Sequence, residues 1–156
     1  QSKTDRLRKY RGQFDLGVDY VFGIFNKDET VLIGSTGLHT RVGEGAREIG
    51  YWVNVNYAGK GYATEATKAL TKVGFDIEGL DRIAIHCSSD NTRSQNVPKK
   101  LGYIHEATLR DRTVDHLGNK GDAMIWSIFK DGYLEQSYSK DEIEVYDVSG
   151  VRLKIK

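Results

Sequence analysis

Apolar residues recur at helical or strand spacing in well-separated stretches, so most elements are legible from the chain itself. Leu7, Tyr10 and Phe14 line one face of a short helix within Lys3–Phe14. Two β-rich runs, Tyr20–Phe25 and Val31–Leu38, flank the polar segment Asn26-Lys27-Asp28-Glu29 and predict a hairpin. Thr40–Ala46, with Gly43 and Gly45, reads as a loop. In the strand Arg47–Asn54, alternation sets Glu48, Gly50 and Trp52 on one face and Ile49, Tyr51 and Val53 on the core face. Ala63, Ala66, Leu70, Val73 and Ile77 predict a helix over Tyr62–Glu78, closed by Gly79. The strand Arg82–Cys87 completes a strand–helix–strand unit, expected to be parallel and right-handed. The polar segment Ser88–Asn91 leads to a short helix ending near Leu101-Gly102. Tyr103–Asp115 and Gly121–Phe129 then form a second hairpin across Leu117-Gly118-Asn119-Lys120. The fold class is α+β, one mixed sheet with helices on its faces.

The end of the chain alternates as well. Val151, Leu153 and Ile155 interleave with Arg152, Lys154 and Lys156, while Ile143 and Val145 interleave with Glu142 and Glu144. A three-residue loop, Val148-Ser149-Gly150, with Gly150 left-handed, sets Val145 against Leu153 and Ile143 against Ile155. The same register sets Glu144 opposite Lys154 and Glu142 opposite Lys156. Residues 1–133 are therefore expected to form the main domain. Residues 134–156 form a tail, a β-hairpin that completes or extends the sheet.

At 156 residues and 17.6 kDa the chain is long enough for one domain with a real core. With 23 basic and 22 acidic residues, net charge +1, no strong field for nucleic acid or membranes arises, and neither is an expected partner. The only cysteine, Cys87, lies in an apolar run, which excludes an internal disulfide framework and suits a reducing cytoplasm. Its thiol reads as structural. No apolar stretch reaches the roughly 20 residues a bilayer span requires. The histidines His39, His86, His105 and His116 lack metal-ligand spacing, so they read as structural or substrate-lining and no metal is expected.

The chemistry concentrates in Asn56-Tyr57-Ala58-Gly59-Lys60-Gly61-Tyr62-Ala63, between a strand and a helix. A glycine turn feeding a helix start exposes backbone N–H groups at the positive end of the helix dipole, a site for phosphate or pyrophosphate. The magnesium-nucleotide loop needs a Ser or Thr after the lysine, and Gly61 stands there instead. The dinucleotide fingerprint needs a third glycine where Thr64 stands, so it fits no better.

Three segments in order resemble the GNAT superfamily of acetyl-coenzyme A-dependent N-acetyltransferases, nearest its RimJ/RimL-like branch of ribosomal-protein N-terminal acetyltransferases. Glu48-Ile49-Gly50-Tyr51-Trp52-Val53 looks like that branch's fourth strand. Asn56 to Ala66 is similar to the family's Gln/Arg-x-x-Gly-x-Gly/Ala pyrophosphate loop. Asn91-Thr92-Arg93-Ser94 with Lys100-Leu101-Gly102-Tyr103 is similar to its Asn-x-x-Ser…Lys-Leu-Gly-Phe/Tyr segment. The resemblance covers roughly Tyr20–Tyr133. It implies the family's acyltransferase fold, acetyl-CoA as cosubstrate, a primary amine as acceptor and, among assemblies, a homodimer. It also implies coenzyme contacts at Trp52, Val53 and Val55, through strand backbone that pairs with the pantetheine arm. Further contacts are implied at Asn56, Ala58, Gly59, Lys60, Gly61, Tyr62, Ala63 and Thr64 of the loop, and at Asn91, which otherwise reads as a plain helix N-cap. Three departures stand out. Asn56 replaces the usual Gln or Arg. Pro98 occupies a position where many members carry a tyrosine proposed to protonate the leaving thiolate. The family's opening strand and helix have no counterpart before Gln1, and a bolder expectation puts Val151–Lys156 in that strand's place, permuted or swapped between subunits.

Acetyl transfer needs a neutral amine, donors for the thioester oxygen and a partner for the departing thiolate. Glu48 is the candidate base, directly or through water. Ser94 and Tyr103 are the remaining hydroxyls able to reach the thiolate, although Tyr103 reads first as the packed start of a strand. Acceptors compatible with the sequence are protein N-termini, polyamines and aminoglycoside-like amines; a non-catalytic coenzyme A-binding or interaction domain is the competing function.

Overall fold

The computed structural model describes residues 2–155. A six-stranded sheet in the order β1-β2-β3-β4-β6-β5 forms its backbone. The strands are β1 (Tyr20–Phe25), β2 (Leu32–His39), β3 (Ala46–Val53), β4 (Arg82–Ser88), β5 (Ile104–Val114) and β6 (Lys120–Phe129). Neighbours are antiparallel except β3 and β4, the parallel pair joined through a helix. The helices are α1 (Lys3–Asp15), α2 (Tyr62–Asp76), α3 (Thr92–Lys100) and α4 (Lys130–Glu135). Both hairpins and the strand–helix–strand unit fall where apolar periodicity puts them, within two residues at each end. α2 stops at Asp76 because the Ile77 and Glu78 N–H groups both turn back to the Val73 carbonyl, with Gly79 left-handed just beyond.

The core lies on one face of the sheet. Leu38, Ile49, Ile83, Ile85 and Ile128 meet Leu70 and Phe75 of α2 and Val97 and Leu101 at α3, all buried. Full burial of each such side chain contributes roughly 1.5–3 kcal/mol, so this contact fixes α2 and α3 against the sheet. Packing continues beyond residue 133: Tyr138 is buried, and its hydroxyl donates to the Leu101 carbonyl at 2.9 Å. α1 is nearly all exposed, held at its end where Phe14 meets Tyr20 and Phe22 edge-on. Arg47 anchors the same end by donating to the Gly17 and Val18 carbonyls while pairing with Glu78.

The tail folds back on itself. Tyr146 forms an antiparallel bridge with Arg152, the Leu153 N–H donates to Val145 O at 2.7 Å, and Gly150 has φ 82°. Glu144 pairs diagonally with Arg152 at 3.2 Å rather than with Lys154. The expected pairing of Glu142 with Lys156 lies outside the described residues. Among those residues the tail contributes no strand to the sheet, so neither the extension of the sheet nor the occupation of an opening strand's place is seen. Val148 and Val151 near the turn are exposed, while Ile143, Val145, Leu153 and Ile155 are half-buried.

Buried phenols give the fold a pH limit. Burial pushes Tyr51, Tyr103, Tyr133 and Tyr138 above the ordinary value of 10.0. A proton held more tightly in the native state stabilises it fully below the unfolded pKa, and that contribution is lost as pH climbs through the folded values. The melting temperature is therefore expected to hold as pH rises to about 10 as far as these groups govern it, and to fall beyond that. A scan from neutral to strongly alkaline pH checks this; an unchanged melting temperature above pH 10 would contradict it.

Candidate active site

Pairing between β3 and β4 covers only Ala46, Arg47 and Glu48 against Arg82, Ile83 and Ala84. Beyond Glu48 the two strands part, so the edge of β3 that faces β4 is left unpaired along its second half. A cleft of about 550 Å³ lies there. Its walls are Tyr51, Trp52 and Val53 of β3, the turn from Val55 into the first residues of α2, and one side of α3 from its N-cap Asn91 to Lys100.

The turn is built for an anion. A single 3-10 turn over Val55–Tyr57, closed by the Asn54 carboxamide accepting from the Asn56 N–H, brings the chain back toward α2. Gly59 and Gly61 follow with φ 78° and 91°, left-handed values that favour glycine, and a Cβ at either would project into open space. No side chain caps α2, so its first N–H groups keep their donors free. The open space at both glycines and the uncapped helix start fit a pyrophosphate.

Eleven of the expected residues meet around this cleft: Trp52, Val53, Val55, Ala58, Gly59, Gly61, Tyr62, Ala63, Thr64, Asn91 and Ser94. Asn91 is also the N-cap of α3, its side chain accepting from the Ser94 N–H at 3.0 Å. Asn56, Lys60 and the candidate base Glu48 do not line it. Asn56 is turned by the 3-10 segment, and the Lys60 ammonium lies 5.4 Å over the Tyr57 ring. Tyr103 is not there either. It is buried in the core, its hydroxyl shares a 2.7 Å hydrogen bond with Thr71, and burial raises its phenol despite that bond. A hydroxyl so enclosed reaches no thiolate in the cleft. Tyr51, Tyr57, Arg93, Asn96, Val97 and Lys100 line the cleft without having been singled out as site residues. Arg93 and Lys100 add positive charge suited to phosphates.

Glu48 occupies the last paired position before the gap, beside His39 of β2 and Ala84 of β4. Its carboxylate lies 3.6 Å from His86 Nδ1 and 3.8 Å from Arg41, both beyond hydrogen-bond distance, with the side chain 13% exposed. Nearby, His39 Nδ1 is 3.0 Å from Asp19, whose carboxyl also accepts from Thr40. Burial works to raise that carboxyl, and the hydrogen bonds outweigh it and hold it below the usual value. On the same face, Glu106 accepts from the Ser127 hydroxyl. Among the described residues, no helix is long and apolar enough to cross a membrane.

A family model described as an acetyltransferase (GNAT) domain matches residues 1–104, and the chain belongs to that family. It is 40% identical over 89 residues to the uncharacterized N-acetyltransferase YnaD of Bacillus subtilis (strain 168), 57% of this chain and 52% of that protein. It is 31% identical over 113 residues to the ribosomal-protein-serine acetyltransferase of Escherichia coli (strain K12), 70% of this chain and 63% of that one. The chain thus spans about half to two thirds of these relatives. The solved acetyltransferase (GNAT family) from Bacillus anthracis superposes with a TM-score of 0.69 at 29% identity, over 81% of this chain and 72% of that one. The α+β fold expected from the sequence is that of the family.

Proposed function

We propose that this chain binds acetyl-CoA in the cleft between β3, the start of α2 and α3, and transfers the acetyl group to a primary amine. The observation that carries this is the parting of β3 and β4 beyond Glu48, with an uncapped, glycine-turned helix start at one end of the gap. Acetyl-CoA supplies the acetyl group as a thioester. Glu48, at the apex of the gap and with no side-chain hydrogen bond among the described residues, takes the proton from the attacking amine. Unpaired backbone of β3 hydrogen-bonds the pantetheine arm, and the N–H groups around Gly59 and Gly61 hold the pyrophosphate. Ser94, the short hydroxyl on the α3 wall, offers a donor to the departing sulfur.

The acceptor we assign is the α-amine of a polypeptide. That amine has a reference pKa of about 7.7–8.0, so a usable fraction is neutral near pH 7, against about 10.4 for a side-chain amine. A polyamine needs several unpaired acids. Here Asp19 is engaged by His39 and Thr40, Glu106 accepts from Ser127, and Glu48 is flanked by Arg41 and His86. The name of the E. coli relative, a ribosomal-protein-serine acetyltransferase, points the same way.

A thiol-release assay with acetyl-CoA tests this, using peptides with free N-termini, spermidine and an aminoglycoside as acceptors. Turnover with peptides above both small amines is expected. Preference for spermidine would overturn the acceptor assignment. Coenzyme binding without thiol release at any pH would replace it with a binding domain.

A further inference from the structure

An α-helix bonds each N–H to the carbonyl four residues earlier. Pro98, inside α3, has no N–H and so leaves the Ser94 carbonyl without its helical donor. That carbonyl is nevertheless bonded, because the Tyr51 hydroxyl donates to it at 2.8 Å. Tyr51 reaches it from the core face of β3, three residues past the Glu48–Ala84 pair where β3 and β4 separate. Tyr51 and Ser94 both line the cleft, on opposite walls. One hydrogen bond therefore stands in for the missing helical one and ties the two walls together.

We propose that Tyr51 is a positioning residue that locks the first turns of α3 to β3, so that Asn91 and Ser94 keep their places along the coenzyme cleft. This rests on the coenzyme-binding reading above. Pro98 makes the lock necessary: with an N–H at position 98, α3 would satisfy the Ser94 carbonyl by itself. Burial also pushes the Tyr51 phenol up, so it stays a donor throughout the neutral range. A tyrosine suits the task because its ring is stiff and carries the hydroxyl a fixed distance from the strand.

Tyr51→Phe removes the hydroxyl and little else, leaving the Ser94 carbonyl unpaired. Acetyl-CoA affinity, read by calorimetry, is expected to fall about tenfold, and amide exchange across α3 to quicken. In Tyr51→Phe combined with Pro98→Ala, the new N–H at 98 reaches the Ser94 carbonyl. That double variant is expected to recover most of the affinity and slow exchange again. A double variant that binds as weakly as Tyr51→Phe, or a Tyr51→Phe protein with native affinity and native exchange, overturns the proposal. So does a turnover loss in Tyr51→Phe that leaves affinity intact and that Pro98→Ala fails to restore, because the hydroxyl would then act on the reacting atoms. Exchange in α3 needs no ligand and no turnover, so the lock is tested even where acetyl transfer or coenzyme binding fails.

Discussion

Glutamine at position 48 is expected to cut turnover by about 10²–10⁴-fold while leaving acetyl-CoA affinity unchanged. The substitution keeps the size of the side chain and its place at the apex of the β3–β4 gap, and removes its charge and its ability to take a proton. No side-chain hydrogen bond to the Glu48 carboxylate is lost among the described residues, since His86 Nδ1 and Arg41 stand 3.6 Å and 3.8 Å away. The deficit should depend on pH in a defined direction. Below the pKa of an α-amine, about 7.7–8.0, most of the acceptor is protonated and a base contributes most. Above it the free amine accumulates, and the variant should recover toward native rates. Rate measurements with one peptide acceptor from pH ~6.5 to ~9.5 check both the size and the slope. A loss under about threefold at neutral pH leaves Glu48 without the role, because general-base catalysis is worth far more.

The elements were legible because their periodicities are long and clean. Alternation in β3 put Tyr51 on the core face and Glu48 on the other, and helical spacing found α2 together with its glycine stop. Long-range placement was not legible. Tyr103 reads first as a strand-starting tyrosine that packs and second as a cleft hydroxyl, and the choice falls to the core once α2 is seen to cover it, with Thr71 against its phenol. Asn56 and Lys60 belong to the loop in sequence, yet neither lines the cleft; Asn56 sits within the 3-10 turn at Val55–Tyr57, and the Lys60 ammonium lies over the Tyr57 ring. Arg93 and Lys100 become site residues only because α3 forms a wall. Tyr51 carried a usable signal. Pro98 removes one N–H, counting four residues back marks the Ser94 carbonyl as needing a donor, and a core-facing tyrosine at the mouth of the gap supplies it. The tail shows the limit from the other side. Its alternation defines which residues pair across the turn, while nothing local says whether such a ribbon joins a distant sheet edge.

Gly61→Val is expected to weaken acetyl-CoA binding on the order of 10- to 100-fold, the worth of one charge-assisted hydrogen bond at roughly 1.5–3 kcal/mol. Two physical effects add. At φ 91° a β-branched residue is strained, so the turn shifts and the N–H groups at the start of α2 lose their aim. The branched side chain also projects into the open space that a pyrophosphate would fill. Strain alone would mimic part of this result, and Gly79 separates the two. It too has a positive φ, 68°, with nothing within 4 Å of a built Cβ, and it lies past the opposite end of α2, outside the cleft. Gly79→Val should therefore lower the melting temperature about as much as Gly61→Val while leaving coenzyme affinity native. Calorimetric titration of both variants, alongside their melting curves, decides the matter. If Gly61→Val binds as tightly as the parent, or if Gly79→Val loses as much affinity, the glycine turn is a structural bend and the pyrophosphate lies elsewhere.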